Sequence, residues 1–364
     1  MKKNIFHFVH ASKLALSFSA FILFSCTGGE KAKDVQDYPS TPLEFVNIFH
    51  PAEHEESEPF IGMPHQIAVV DSILICADEI DGMALLLYNL NNGSYRRVLR
   101  MGPGPDDIQS TPLDISVSHS DKRIIILQRR TGELRSYYLQ DLWNDSIKTP
   151  RRLKDKFGGD RASCTSEGYV LSGHYQDGIL HFYKESGEMT DSIDLHPEWP
   201  QDPIGKYRLL QGHIAFNESS GYVMYAPIFA SDFLCFGLEN GHWKEVSSFT
   251  LGDKRIEQRG MEGNWELKKD DIHRSIDACA SDQYFYILYE GRAFSVTQEG
   301  RVGEELVKGN HIYVIRFTAK GELDTVYEVD PTILNICVTA DDSCLYAILR
   351  GKDGEYTVGK ALLK

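Results

Sequence analysis

Six polar residues stand beside the first apolar run of short β-type segments, where they could bind a metal ion or transfer protons. They are His65, Asp114, His213, His273, Arg274 and Asn335. Carboxylate and amide oxygens are the ligands that Ca²⁺ prefers, whereas imidazole suits proton transfer and transition metals. These residues can act together only if the fold brings the starts of their segments to one place.

The spacing of nucleophilic and metal-ligating residues does not define a catalytic set. The sequence has no Gly-x-Ser-x-Gly elbow, no H-E-x-x-H pair and no C-x-x-C pair. The cysteines after the first one lie mostly within apolar runs, as is typical of buried thiols that act as small hydrophobic residues. We therefore predict no catalytic residue, no resident metal and no cofactor.

A glycine- and proline-rich segment, Gly102-Pro103-Gly104-Pro105-Asp106, could be mistaken for a phosphate-binding loop. Its prolines lack backbone donors, no Lys-Ser/Thr pair follows, and Asp106 and Asp107 would repel phosphate. Carboxylates in such turns commonly cap backbone amides. The segment therefore predicts a stiff structural loop.

The charge balance restricts the kinds of partner. The 364 residues carry 38 basic and 53 acidic side chains, a net charge of −15. A nucleic-acid-binding protein needs basic patches that displace counterions from phosphates, and the short basic clusters here lie in acidic surroundings. We expect no nucleic acid as a partner.

The amino terminus combines lysines with a short apolar run that ends at Leu23-Phe24-Ser25-Cys26. Twelve apolar residues are too few to span a bilayer and are typical of a secretory signal. The last four residues resemble a bacterial lipobox, which implies cleavage after Ser25 and acylation of Cys26, with palmitate among the acyl chains. Cleavage would remove three lysines and change the net charge from −15 to −18. Thr27, by analogy, favours the outer membrane.

The rest of the chain is a series of β-type units. The segment from Gln66 to Leu99 has four short apolar or aromatic runs separated by turn residues, including Asn92-Gly93. Four antiparallel strands of this length form one propeller blade, and five further units follow. The last unit has only three strands, so we expect Leu43–Phe49 to supply the fourth and close the ring. A frayed extension is the alternative for this segment.

These units resemble the TolB-like or NHL-like six-bladed β-propeller lipoproteins of Bacteroidetes. The resemblance covers Leu43 to Lys364, and its most specific pieces are 102–108, 287–292 and 312–349. It implies an all-β fold with a signal peptide at 1–25, a flexible tether at 26–41 and a six-bladed propeller at 42–364. In that fold the first strands line a central channel, and the six polar residues above become channel-mouth candidates.

Two functions are consistent with these features. The first is a monomeric propeller in the cell envelope, attached to the membrane through its lipid, that binds a protein, peptide or glycan on one ring face. The alternative is a metal-dependent hydrolase or lyase with Ca²⁺ at the channel mouth, as in lactonase-type six-bladed enzymes. The shortage of acidic residues at matching blade positions favours the binding protein.

Overall fold

The computed structural model describes residues 33–49, 59–146, 150–154, 159–293, 312–330, 332–351 and 353–363. These residues form 25 β-strands, one 3₁₀ helix at Val35–Asp37 and three short α-helices. The helices are α1 (Leu139–Trp143), α2 (Pro203–Leu210) and α3 (Arg255–Met261). The strands are β1 (Ser40–Pro42), β2 (Val46–Asn47), β3 (Pro64–Val70), β4 (Ile73–Ile80), β5 (Met83–Asn89), β6 (Tyr95–Arg100), β7 (Leu113–Ser118), β8 (Arg123–Gln128), β9 (Glu133–Tyr138), β10 (Arg151–Lys154), β11 (Gly159–Cys164), β12 (Gly168–Gly173), β13 (Leu180–Lys184), β14 (Met189–Ile193), β15 (Gly212–Asn217), β16 (Tyr222–Pro227), β17 (Asp232–Glu239), β18 (His242–Thr250), β19 (Ile272–Ala280), β20 (Tyr284–Ala293), β21 (Ile312–Thr318), β22 (Leu323–Val329), β23 (Ile333–Val338), β24 (Cys344–Arg350) and β25 (Tyr356–Leu362).

The strands form six sheets, which are the six blades of a propeller, and all pairs are antiparallel except that of β1 with β22. Blades 1 to 5 are β3–β6, β7–β10, β11–β14, β15–β18 and β19–β22, and blade 6 contains β23–β25 with β2 at its outer edge. The first strand of each blade is innermost and contacts the first strand of the next blade. These contacts continue from β3 through β23 and back to β3, so the ring is closed. The predicted all-β, six-bladed fold is confirmed.

The blades are held together by strands that are buried on both faces. In β8, Ile124 and Ile126 pack in a cluster with blade 1, whereas Ile125 and Leu127 pack in a cluster with blade 3. Successive side chains of a strand point to opposite faces, so a blade between two neighbours needs an uninterrupted apolar run. This packing explains why apolar runs, rather than alternating patterns, indicate the blades in the sequence.

The amino-terminal segment closes the ring, as the sequence predicts. Val46 and Asn47 pair with Lys360 and Gly359 in antiparallel register. Next to this pair, the Ile48 N–H donates to the Val358 carbonyl at 2.8 Å. The paired strand is shorter than the predicted Leu43–Phe49 segment, but it occupies the predicted edge of blade 6.

The residues just before this strand lie against blades 4 and 5. Ser40 to Pro42 add to β22 as a parallel strand, and Val35 is 1% exposed within a core cluster. The Lys33 carbonyl accepts a hydrogen bond from the Gly252 N–H at 2.8 Å. The composition of 26–41 predicts a flexible tether, and its described part makes these ordered contacts. Residues 26–32 and the signal peptide lie outside the described residues.

Candidate functional site

The innermost strands all begin at one end of the ring, which we call the upper mouth. Each strand places one polar residue there, and the six together form what we call the polar ring. The polar ring consists of Gln66, Asp114, Arg161, His213, Asp277 and Asn335. It includes three of the channel-mouth candidates and three residues that the sequence did not single out.

Four members of the polar ring bond to the backbone of the next blade. Gln66 Oε1 accepts from the Ile115 N–H at 2.5 Å, and Asp114 Oδ2 accepts from the Ala162 N–H at 2.7 Å. The same bond recurs at Asp277, which accepts from the Ile336 N–H at 2.9 Å, and at Asn335, which accepts from the Ile67 N–H at 2.8 Å. In each case the donor directly follows the ring residue of the next blade. These oxygens therefore connect neighbouring blades.

The pattern changes at blades 3 and 4, where the ring residues are Arg161 and His213. A guanidinium has no acceptor atom and cannot make the bond that the oxygens make. Arg161 Nε lies 3.7 Å from Asp114 Oδ1 on blade 2, and His213 Nδ1 lies 3.8 Å from Asp277 Oδ1 on blade 5. The two basic side chains thus face the two buried carboxyl groups of the ring.

Burial changes the ionisation of these groups. Asp114 and Asp277 are 5% and 2% exposed, and burial raises their pKa values to about 6 and about 7. Burial, together with the charge on Arg161, lowers the pKa of His213 well below its ordinary value. At neutral pH these shifts favour the uncharged forms of His213 and Asp277 more than their residue types alone would. The polar ring therefore carries less charge than its residue types suggest.

Further ion pairs lie around part of the upper mouth. Asp160 accepts hydrogen bonds from Arg129 Nε at 2.6 Å and from the Tyr207 hydroxyl at 2.8 Å. On the other side, His273 Nδ1 lies 2.7 Å from Glu290 Oε2, and Arg292 also pairs with Glu290. These carboxylates are already neutralised by basic partners.

The remaining channel-mouth candidates do not belong to the polar ring. His65 is half-buried next to Gln66, and burial lowers its pKa. His273 pairs with Glu290 as above. Arg274 is 2% exposed and donates to the carbonyls of Phe229 and Asp253, at 3.2 and 3.0 Å. Arg274 therefore links loops of blades 4 and 5.

β-Bulges precede Gln66, Arg161 and Asp277, the three ring residues that the sequence did not indicate, but one also precedes Asn335, which the sequence did indicate. The strand register shifts just before each of the three, between Pro64 and Gln66, Gly159 and Arg161, and Ser275 and Asp277. A bulge adds a residue and turns the next side chain to the other face. At a bulge, sequence position alone therefore does not fix which of two adjacent residues faces the mouth. Aligning the six units on their inner strands, with one residue of freedom, would have found the ring.

The channel below the polar ring is narrow. Together with the mouth it has about 70 Å³ of free volume, lined by five residues of the polar ring and by apolar residues such as Ile115, Ile214 and Val338, with the thiol-bearing Cys279 and Cys337. Burial raises the pKa of both thiols well above the ordinary value. A space of this size holds one or two waters rather than an organic ligand.

The glycine- and proline-rich loop connects blades 1 and 2. Asp107 Oδ2 accepts from the Gly104 N–H at 2.9 Å and lies so close that a Cβ at Gly102 or Gly104 would be within 2.7 Å of it. Arg152 Nη2 lies 2.5 Å from Asp106 Oδ1. The carboxylate of Asp107 therefore caps the backbone of the loop, and the carboxylate of Asp106 pairs with Arg152 on blade 2.

Among the residues that the structure describes, no three His, Cys, Asp or Glu side chains converge as a metal site requires. Within the same residues, no helix is long and apolar enough to cross a membrane.

The ring of six blades and its polar mouth define the chain as a six-bladed β-propeller. No protein-family model and no curated protein matches the sequence. Among solved structures, it is similar to a Bacteroides fragilis protein described as exported, with a TM-score of 0.56 and 10% identity over 88% of this chain and 95% of that one. It is also similar to a DUF4221 family member from Bacteroides vulgatus, with a TM-score of 0.52 and 11% identity over 90% and 99%. At these identities the likeness establishes the fold alone.

Proposed function

We propose that this protein is an envelope lipoprotein whose propeller binds a protein, peptide or glycan partner. In this proposal the chain is a TolB-like or NHL-like propeller, acylated at Cys26 and held at the outer membrane. The partner binds on the surface of the ring, and the channel serves as the scaffold.

The cross-blade bonds of the polar ring carry this proposal. Oxygens of Gln66, Asp114, Asp277 and Asn335 each accept a backbone N–H from the next blade. An enzyme site would need such oxygens directed at a metal or at substrate. Here they stabilise the contacts between blades, which supports a scaffold role for the mouth and recognition elsewhere.

The sequence supports the location of the protein. The apolar run before Cys26 is typical of an export signal, and the residues that follow are small and polar. Two or more acyl chains on Cys26, each contributing about 0.8 kcal/mol per buried CH₂, would hold the protein stably at a bilayer.

The anchor is tested by fractionating cells that express the wild type, Cys26→Ala or the control Thr27→Ala. We expect the wild type and Thr27→Ala to incorporate radiolabelled palmitate and to remain with the membrane fraction. Cys26→Ala should carry no label and should leave that fraction. Palmitate labelling of Cys26→Ala would contradict the assignment.

The choice between a binding protein and a Ca²⁺-dependent enzyme is tested by thermal unfolding with added Ca²⁺ or with EDTA. If the channel is only a scaffold, the melting midpoints with Ca²⁺ and with EDTA should agree within about 1 °C, because no resident ion stabilises the native state. An increase of several degrees with Ca²⁺, reversed by EDTA, would favour the hydrolase or lyase.

A further inference from the structure

A second concave region lies on the lower face of the ring, at the opposite strand ends from the polar ring. It is an open groove between blades 1 and 2, with about 680 Å³ of free volume. Ligand sites in proteins typically enclose roughly 300–1,000 Å³. Blade 1 contributes Asp71, Ile73 and Asn89, and blade 2 contributes the Asp121–Lys122 turn and the segment Tyr138–Asn144, which includes α1. We call this region the interblade groove.

The walls of the interblade groove are fixed by hydrogen bonds and an ion pair. The Leu139 N–H donates to the Lys122 carbonyl at 2.9 Å, which attaches the start of α1 to the neighbouring turn. Lys122 Nζ then reaches across to Asp71 Oδ2 on blade 1 at 2.5 Å. The Arg96 guanidinium, also on blade 1, donates to the Trp143 carbonyl at the end of α1. The shape of the groove is therefore present before any ligand binds.

The groove combines an apolar floor with an exposed aromatic ring. Ile73 and Trp143 are partly buried against the core cluster that blades 1 and 2 share. Tyr138 is 50% exposed although it is a large aromatic residue. An aromatic ring presents a flat apolar face that suits the C–H face of a sugar ring, while its hydroxyl remains available to hydrogen-bond.

Three polar side chains of the groove have unused hydrogen-bonding groups. Gln140 and Asn144 are exposed and Asp141 is half-buried. Within the described parts of the chain, none of the three side chains has a hydrogen-bond or ion-pair partner. Planar amides offer donors and acceptors side by side, and a carboxylate offers two acceptors, so they match adjacent hydroxyl groups.

The charges of the groove favour a neutral ligand. Asp71 is paired with Lys122 at 2.5 Å, and Asp121 is paired with Arg123 at 2.7 Å. Asp141 then remains as the one lining carboxylate without a basic partner among the described residues. One unpaired carboxylate repels phosphate or sulfate groups but is too little to hold a cation against water.

We propose that the interblade groove binds a neutral hexose unit of a glycan. Tyr138 stacks against the sugar ring, and Gln140, Asp141 and Asn144 bond to its hydroxyl groups. This inference rests on the proposed binding function and adds to it the place of binding and the class of ligand.

The experiment is calorimetric titration of the purified full chain with maltohexaose, cellohexaose and mannohexaose. We expect at least one of them to bind and Tyr138→Ala to weaken that binding at least about tenfold, as loss of an aromatic contact commonly does. Asp141→Asn should change it by less than about threefold, because an amide still bonds to hydroxyls. Tyr95→Ala, which removes an exposed tyrosine that lies on blade 1 outside the groove, is the matched control and should bind like the wild type.

Three results would overturn the assignment. Binding that survives Tyr138→Ala would place the glycan elsewhere on the ring and leave the proposed function intact. Binding of hexalysine in place of the sugars, abolished by Asp141→Asn, would make the groove a site for basic peptides. Failure of all three oligosaccharides to bind would refute the hexose assignment, whereas failure of the proposed function itself would show as stabilisation by Ca²⁺.

Discussion

The upper mouth and the interblade groove contain the same kinds of residue but use them differently. At the mouth, carboxyl and amide oxygens bond to backbone N–H groups of the next blade, and the mouth and channel together have about 70 Å³ of free volume. In the groove, Gln140, Asp141 and Asn144 face about 680 Å³ of open space without side-chain partners among the described residues. The polar groups of the mouth are already hydrogen-bonded within the protein, whereas those of the groove are available to a ligand.

This difference shows how to weigh candidate sites in a propeller. Polar residues at the channel mouth attract attention because the strands converge there. Buried polar groups must nonetheless be paired, and pairing them between blades is an effective way to fix a ring. A recognition surface is therefore indicated by polar side chains that lack hydrogen-bond partners within the protein, and not by residue type or by a central position.

The largest effect should come from removing an oxygen of the polar ring. Asp114→Ala leaves the buried Ala162 N–H without its acceptor, which we expect to lower the free energy of unfolding by about 2–3 kcal/mol. Asp114→Asn retains an acceptor and should cost less than about 1 kcal/mol. Urea unfolding of both variants at pH 7 measures the two values. Equal stability of Asp114→Ala and the wild type would mean that the ring bonds do not hold the blades.

A smaller effect, about 2 kcal/mol, should appear in the pH dependence of stability. Burial raises the pKa of Asp277 to about 7, whereas an unfolded Asp has a pKa of about 3.9. Between pH 5 and pH 7 the native state therefore binds more protons, and stability falls as the pH rises. Asp277→Asn removes this titratable group, so the stability of the variant should not show this fall between pH 5 and pH 7.

The check is urea unfolding of the wild type and Asp277→Asn at several pH values. Asp114, with its own raised pKa, is present in both proteins, so its contribution cancels apart from its coupling to Asp277, whose pKa it helps to raise. His213 and Arg161, the basic groups nearest to the two carboxyls, are also unchanged. Parallel stability curves for the two proteins would contradict a buried, protonated Asp277.

The smallest effect should come from the interblade groove. Tyr138 is 50% exposed, and the Asp141 side chain has no partner among the described residues. We expect Tyr138→Ala and Asp141→Asn each to change the free energy of unfolding by less than about 0.5 kcal/mol. A loss above about 2 kcal/mol for either variant would show that the groove, like the mouth, is structural.

The sequence predicted the blades well because each blade is buried on both faces. Runs such as Ile124–Leu127 are apolar throughout, since alternate residues pack on opposite neighbours. Strand β11 was missed because it begins with Gly159, Asp160 and Arg161 and therefore lacks an initial apolar run. Strand β1 was missed because Ser40 to Pro42 are exposed and give the sequence no apolar signal for their pairing with β22.

The mouth was predicted only in part. Asp114 and His213 lie on strands of regular register, whereas Asn335, which the sequence also indicated, directly follows a register shift. In blade 5, two register shifts lie between His273, which the sequence indicated, and Asp277, which belongs to the polar ring. The groove was not predicted, because it depends on a short helix of one blade facing a turn of another.

The amino-terminal segment also determines how the molecule responds to mechanical load. A pull on the chain ahead of Lys33 reaches the Lys33–Gly252 bond first, then the three-residue parallel strand on blade 5, and only then the strand that completes blade 6. The contacts on blades 4 and 5 therefore carry the load before the pairing of β2 with β25 does. If a lipid holds the amino terminus, tension from the membrane acts on these contacts before it reaches the strand that completes blade 6.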